Sequence, residues 1–265
     1  MTLIQIITLA LIQGLTEFLP VSSSAHLILG GKALGWADQG LVFDVATHLG
    51  TLFAVLIYFR ADLADMARAC IGPADDAGQR RNRVMVVYLA VASVPALLVG
   101  FLAHDLVEAY LRDVRIIAWT TIGFGLLLWL ADAVGSKQRD IGEMSLKSAI
   151  FIGLAQVLAL VPGTSRSGIT ITAGRFLGFS PDSAARFSFL LSIPVIAAAG
   201  IYGGLRVLSG DAPIDWFQFL LALLFAAAAG WVCIAAFLAL LKKVGLLPFV
   251  VYRLFLGLLL LWLVS

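Results

Sequence analysis

With 265 residues, 61% of them hydrophobic, only 13% charged and a mean hydropathy of +1.01, the chain has too little polar surface for a water-soluble domain of its length. A net charge of +2, with no basic run interleaved with aromatics, argues against nucleic acid as a partner. Two cysteines, Cys70 in a polar stretch and Cys233 in an apolar one, exclude a disulfide framework and are expected as free thiols.

Residues 2–30 come first and do not read as a plain span, because Gly14, Pro20 and three consecutive serines interrupt them. No Lys or Arg precedes Lys32, so the basic start of a cleavable signal is not expected. Apolar runs follow at 41–59, 84–104 and 116–134. Each approaches the ~20 residues that cross about 30 Å of hydrocarbon. Residues 148–178 are interrupted again, by Pro162, Gly163 and Gly168. The run 148–161 extends only about 21 Å at ~1.5 Å per residue, and proline then stops or kinks it. Runs at 184–208, 216–241 and 247–264 complete the chain. The economical reading of both interrupted regions is a helix hairpin that enters the membrane and returns to the same face. Non-helical backbone at that depth survives only when buried in protein or lining a wet cavity. The expected fold is an all-α integral membrane protein, one membrane domain with six transmembrane helices and two re-entrant hairpins.

The two interruptions look like copies. Pro20-Val21-Ser22-Ser23-Ser24-Ala25-His26 and Pro162-Gly163-Thr164-Ser165-Arg166-Ser167-Gly168 start 142 residues apart, and Leu34-Gly35-Trp36 and Leu177-Gly178-Phe179 follow them. Three spans per unit is odd, so the second unit inserts upside down. Repeats of about 1–134 and 145–265 in inverted topology place a site at their interface, near the bilayer midplane. Basic residues set the orientation. Arg60, Arg68, Arg80, Arg81 and Arg83, then Lys137, Arg139 and Lys147, then Lys242 and Lys243 fall on one side, read as cytoplasmic. Lys32, Arg112, Arg115 and Arg206 fall on the other. Asp62, Asp65, Asp75 and Asp76 are expected simply to solvate a loop at 60–83.

Gln13 and Glu17 are four residues apart, on one helix face. An ionised carboxylate deep in a membrane is costly, which makes Glu17 a candidate general base or metal ligand. Ser22, Ser23, Ser24 and His26 follow the proline. At least one serine is expected to cap a helix; a hydroxyl near a base is also a candidate nucleophile. In the second motif, Gly163 and Gly168 let backbone approach a ligand, and a helix starting near Ser165 aims N–H groups at it. Arg166 adds a fork that fits phosphate oxygens, and Ser165, Ser167 and Thr170 add hydroxyls. Asp44 and His48 share a helix face and either pair or line a cavity. His104 and Asp105 sit at a span end. Arg175 and Arg186 are read as support for the second hairpin, and Arg253 as an anchor of the last span.

Gln13-Gly14-Leu15-Thr16-Glu17-Phe18-Leu19-Pro20-Val21-Ser22-Ser23-Ser24-Ala25-His26 resembles the first signature of the undecaprenyl-diphosphate phosphatase family, the bacitracin-resistance proteins. Pro162 to Thr170 resembles its second, and the resemblance covers essentially the whole chain. It implies an integral membrane hydrolase that removes the terminal phosphate of undecaprenyl diphosphate to regenerate the lipid carrier for cell-wall synthesis. It also implies a multi-pass protein of the bacterial plasma membrane, with its site open to the exterior and its activity supported by a divalent metal, Mg²⁺ or Ca²⁺. By motif position, Glu17 and His26 match the family's essential acid and histidine, Ser23 its proposed nucleophile and Arg166 its phosphate-binding arginine. Ser165, Ser167 and Thr170 match phosphate-contacting hydroxyls; Ser22, Ser24, Gly163 and Thr164 join the same phosphate-binding set. Many members carry Glu where this chain has Gln13, so Glu17 takes more of any metal-binding role and Gln13 less. The expected partners are a polyprenyl diphosphate and the lipid bilayer, with a homodimer left open. Attack by Ser23, by His26 or by water directly all fit the sequence. A lipid carrier or flippase is the rival class, since broken helices in inverted repeats also serve transport.

Overall fold

In a computed structural model that describes residues 1–37, 39–72, 76–111, 113–136, 138–209 and 214–264, the greasy runs become helices and no strand forms among the described residues. Asp75, Arg112 and Lys137 lie outside that description, as do the side chains of Lys32, His104 and Asp105. In chain order the helices are α1 (Leu3–Glu17), α2 (Ser23–Leu34), α3 (Gly40–Tyr58), α4 (Arg60–Ile71), α5 (Ala77–Tyr110) and α6 (Val114–Val134). Then come α7 (Leu146–Gln156), α8 (Arg166–Phe176), α9 (Pro181–Leu208), α10 (Trp216–Val244) and α11 (Leu247–Leu263). Five of them are long and apolar enough to cross a membrane: α3, the Ala77–Ala103 part of α5, α6, α9 and α10. The expected sixth span, 247–264, is the 17-residue α11, at the short end of the spanning range.

Polar caps set most starts. Thr2 closes a capping box with Gln5 at α1, and Asp113, Ser145, Ser180 and Asp215 cap α6, α7, α9 and α10. Both interrupted regions break as expected. α1 ends at Glu17 and α2 begins at Ser23. α7 runs into a 3₁₀ turn at Val157–Leu160, and α8 begins at Arg166. The two breaks share their backbone at a constant offset of 143 residues. Ser22 and Ser165 turn at φ +72° and +70°, and their hydroxyls accept from Ala25 N and Gly168 N. α2 and α8 then end alike, at Gly35 and Gly178 with φ +63° and +84°. In each case the next aromatic, Trp36 or Phe179, donates its N–H five residues back, to Gly31 O or Gly174 O.

The segment at 60–83 differs from the loop expected of it. Residues 60–71 form α4, and α5 already begins at Ala77. The polar composition hides an amphipathic helix whose Met66 and Ala69 are buried. Asp62 does more than solvate: it pairs with Arg186 of α9 at 2.9 Å. Arg81 lies against Gly142, and Lys242 reaches Asp182 at 3.7 Å. The three basic segments therefore share one end of the helix bundle. Cys70 is an exposed thiol near the end of α4, and Cys233 is buried, donating to Leu15 O.

Packing fixes the tips of both breaks. Phe18 is fully buried and sits edge-on to Phe189 at 5.4 Å, and Phe237 and Phe249 continue the aromatic cluster. Gly14 of α1 lets α10 approach so closely that a Cβ there would lie 2.6 Å from Ala226 O. Gly153 does the same for α7 against Ala92 O of α5. Arg175, at the end of α8, pairs with Asp132 of α6 at 2.9 Å, the support expected of it.

Candidate active site

The C-terminus of α1 and the N-terminus of α8 meet. Arg166 donates to Glu17 Oε1 at 3.1 Å across 149 residues, with both side chains nearly buried. The other carboxylate oxygen accepts from Ser23 Oγ at 3.1 Å and from Gln13 Nε2 at 2.9 Å. The second guanidinium arm of Arg166 donates to Ser188 O of α9 at 3.1 Å. A carboxylate and a guanidinium at this depth require each other, because either alone would be an uncompensated buried charge. The hydroxyl of Ser23 is thus held against a carboxylate whose other oxygen faces a fixed cation.

These groups open onto a cavity of about 220 Å³. Glu17, Ser22, Ser23 and Ser24 line one side, and Gly163, Ser165 and Arg166 the other. Ala159, Val161 and Pro162 close it, and His48 of α3 reaches it from the side, one of the two roles expected of it. His48 Nδ1 donates to Asp44 O at 2.7 Å.

The remaining expected site residues divide by position. Ser167 is fully buried and donates to Leu19 O at 2.8 Å, tying the second tip to the first. Thr170 is buried behind Arg166, donating to Arg166 O and bonding Ser188 Oγ. Thr164 is buried, and its hydroxyl has no partner among the described residues. None of the three lines the cavity. His26 does not line it either. Its Nδ1 donates to Ser22 O at 2.7 Å, which leaves Nε2 of a neutral imidazole to accept from Tyr252 OH at 2.6 Å. The ring lies parallel to Tyr252, 5.5 Å away.

Arg253 is the residue whose place the sequence least revealed. It is fully buried on α11 and donates to Thr121 O, Pro20 O, Thr164 O and Gly163 O. One guanidinium thereby satisfies carbonyls freed by both breaks, which hydrocarbon would leave unpaired. The signal was present: Arg253 stands six residues inside an apolar helix, too deep for an interfacial anchor. Gly163 is held just as tightly, at φ +89°, where a Cβ would lie 2.1 Å from Thr120 Oγ1.

For a divalent metal the donor set is partial. Among the described residues no three His, Cys, Asp or Glu side chains gather into a metal group. Gln13 Oε1 is buried without a partner among the described residues, one turn from the Glu17 carboxylate. One carboxylate and one amide oxygen fit the way Mg²⁺ is held when phosphates and water complete its shell.

Comparison with known proteins covers nearly the whole chain. Residues 6–259 match the family model described as "Bacitracin resistance protein BacA". The chain is 50% identical over 264 residues to the undecaprenyl-diphosphatase of Alteromonas mediterranea, covering 100% of this chain and 99% of that protein. It is 52% identical to the undecaprenyl-diphosphatase of Alcanivorax borkumensis, covering 98% of each. It is 50% identical to undecaprenyl-diphosphatase 1 of Pseudoalteromonas translucida, covering 97% of each.

Proposed function

This chain belongs to the bacitracin resistance protein BacA family, and from that premise we propose that it is an undecaprenyl-diphosphatase. It is a membrane hydrolase that removes the terminal phosphate of a polyprenyl diphosphate, releasing the monophosphate carrier lipid. The observation that carries this reading is the Glu17–Arg166 pair with Ser23 beside it, at the wall of one polar cavity. A cation, two helix N-termini and an acid-held hydroxyl are the parts that phosphoryl transfer needs.

Substrate phosphate competes with Glu17 for Arg166. Once phosphate oxygens take the guanidinium arm, the carboxylate is free to accept the Ser23 proton. Ser23 Oγ then bonds to the terminal phosphorus as the bond from that phosphorus to the bridging oxygen breaks. The polyprenyl phosphate leaves with the electron pair and takes the proton from Glu17. Water, deprotonated by Glu17, next attacks the phosphorus; the bond to Ser23 Oγ breaks, inorganic phosphate leaves, and Ser23 takes the proton back from Glu17. His26 acts through the turn, since its Nδ1 holds the carbonyl of strained Ser22. Gln13 and Glu17 are the residues that would hold Mg²⁺ or Ca²⁺, which when bound adds charge neutralisation at the phosphate oxygens.

In this reading the protein sits in the bacterial plasma membrane with α3, α5, α6, α9, α10 and α11 crossing it. The pairs α1–α2 and α7–α8 dip in from opposite faces, and the cavity opens to the exterior. The shared 143-residue offset supports inverted repeats of about 1–134 and 145–265. The gathering of the basic segments at one end supports a single cytoplasmic face. The relatives' names carry hydrolysis alone, and no observation favours the lipid-flipping alternative. The test is phosphate release from undecaprenyl diphosphate by purified protein with Mg²⁺ or Ca²⁺ present. Wild type should release it, Ser23→Ala should lose at least a hundredfold, and ³²P from a terminally labelled substrate should remain on Ser23 in trapped enzyme. A wild type that releases no phosphate overturns the hydrolase.

A further inference from the structure

We infer that the apolar cavity between α5 and α9 holds the isoprenoid chain of the substrate next to its diphosphate, an inference that rests on the hydrolase reading above. The cavity measures about 340 Å³, and Ala96 and Gly100 of α5, Leu160 of the 3₁₀ turn and Ala198, Ala199 and Tyr202 of α9 line it. Two sets of wall residues place it beside the polar site. Leu160 lies between Ala159 and Val161, which line the polar cavity. A third cavity of about 200 Å³ shares His48 with the polar site and Ala199 and Tyr202 with the apolar one. Along this path the walls change from Glu, Ser and Arg, through Asp44, His48 and Arg206, to Ala, Gly and Leu. That gradient matches a molecule with a diphosphate at one end and hydrocarbon at the other.

Two seams related by the 143-residue offset differ. Where α3 meets α10, Gly50 brings the backbones together, and a Cβ there would lie 2.4 Å from Leu223 O and 2.9 Å from Ala226 Cβ. That seam is shut. Where α9 meets α5, the counterpart by the 143-residue offset, small residues leave space. Among the described residues, a Cβ on Gly100 would meet only the tip of Leu160, at 3.3 Å. Small side chains that do not bring helices into contact leave an apolar void, which costs stability until apolar atoms fill it. Phe101 and Tyr202 pack edge to face at 6.3 Å beside it. Phe101 itself and, on the same two helices, Leu98 and Leu205 are more than half exposed, an apolar surface for the rest of the chain toward the bilayer.

The test fills the void. Ala96→Trp and Ala198→Trp are assayed against undecaprenyl diphosphate and against dimethylallyl diphosphate, whose chain is too short to occupy the cavity. The long-to-short ratio of kcat/KM should fall at least tenfold, through KM for the long substrate. An unchanged ratio overturns the inference. A second measurement needs no variant. Wild type is photolabelled with a polyprenyl diphosphate carrying a diazirine on its third isoprene unit. Labelling of α5 and α9 that excess polyprenyl diphosphate removes, and phosphatidylglycerol does not, supports the assignment. Labelling confined to other helices, or removed equally by phosphatidylglycerol, overturns it. A wild type that cleaves neither substrate sinks the hydrolase instead, and the labelling pattern still reports on the groove.

Discussion

At Ser22 the chain turns at φ +72° and caps Ala25; at Ser165 it turns at +70° and caps Gly168. Ser22 and Ser24 hydroxyls stand 3.1 Å apart, and so do those of Ser165 and Ser167. Gln13 and Gln156 are buried at matching places, and neither Oε1 has a partner among the described residues. The chemistry at the two breaks nevertheless differs. By the 143-residue offset, Leu160 stands where the first half has Glu17, Arg166 where it has Ser23, and Ile169 where it has His26. The matching backbone of the two breaks supplies two helix N-termini facing one cavity, and the side chains differ in opposite directions of charge. Two copies of the first half would set two carboxylates against each other, and two copies of the second would set two arginines. Only the unlike pair both satisfies its own burial and offers a cation to an anionic ligand.

The sharpest way to break this comparison is to remove the charge pair. Glu17→Gln and Arg166→Gln should each lower phosphate release at least a thousandfold, roughly 4 kcal/mol at about 1.36 kcal/mol per tenfold. The double variant should lose little more than either alone, because the two act as one unit. Losses that add would show that the halves contribute independently. Arg253 comes next, since it binds carbonyls of both breaks. Arg253→Met strands those carbonyls and should destabilise the protein by about 3 kcal/mol, lowering the midpoint of thermal unfolding in detergent. Arg253→Lys, with three donors rather than five, should recover part of that loss. A Met variant as stable as wild type would mean the breaks hold their shape unaided. The smallest effect concerns the turns. Ser22→Gly and Ser165→Gly relieve positive-φ strain while losing a cap, two terms of about 1 kcal/mol each and opposite sign. Each should leave stability within about 1 kcal/mol of wild type, and the Ala variants, which keep the strain, should fall further. Thermal unfolding that separates the two positions widely would end the claim of equivalent turns.

Local chemistry made much of this protein legible. Apolar run length located the helices, and Pro, Gly and Ser located both breaks, because both depend on residues near in sequence. Glu17 and Arg166 stood out because a charge is costly between apolar segments, and Ser23 stood apart from Ser22 and Ser24 only by the family resemblance. Polar composition misled at 60–71, where spacing rather than content marks a helix: Met66 and Ala69 are three apart, on its inner face.

What only the tertiary structure decided was the partner of each polar group. Ser167 and Thr170 belong to a phosphate motif by position, yet their hydroxyls are engaged by Leu19 O and Ser188. His26 is close to Ser23 in sequence but faces Tyr252, 226 residues away. Arg253 ties together loops whose sequences do not mention it. A hydroxyl, imidazole or guanidinium can bond whatever lies within about 3 Å, and the helix that lies there is chosen by packing across the whole chain. The sequence by itself determined which groups need a partner; the packing of α1, α8, α9 and α11 determined which partner each one has.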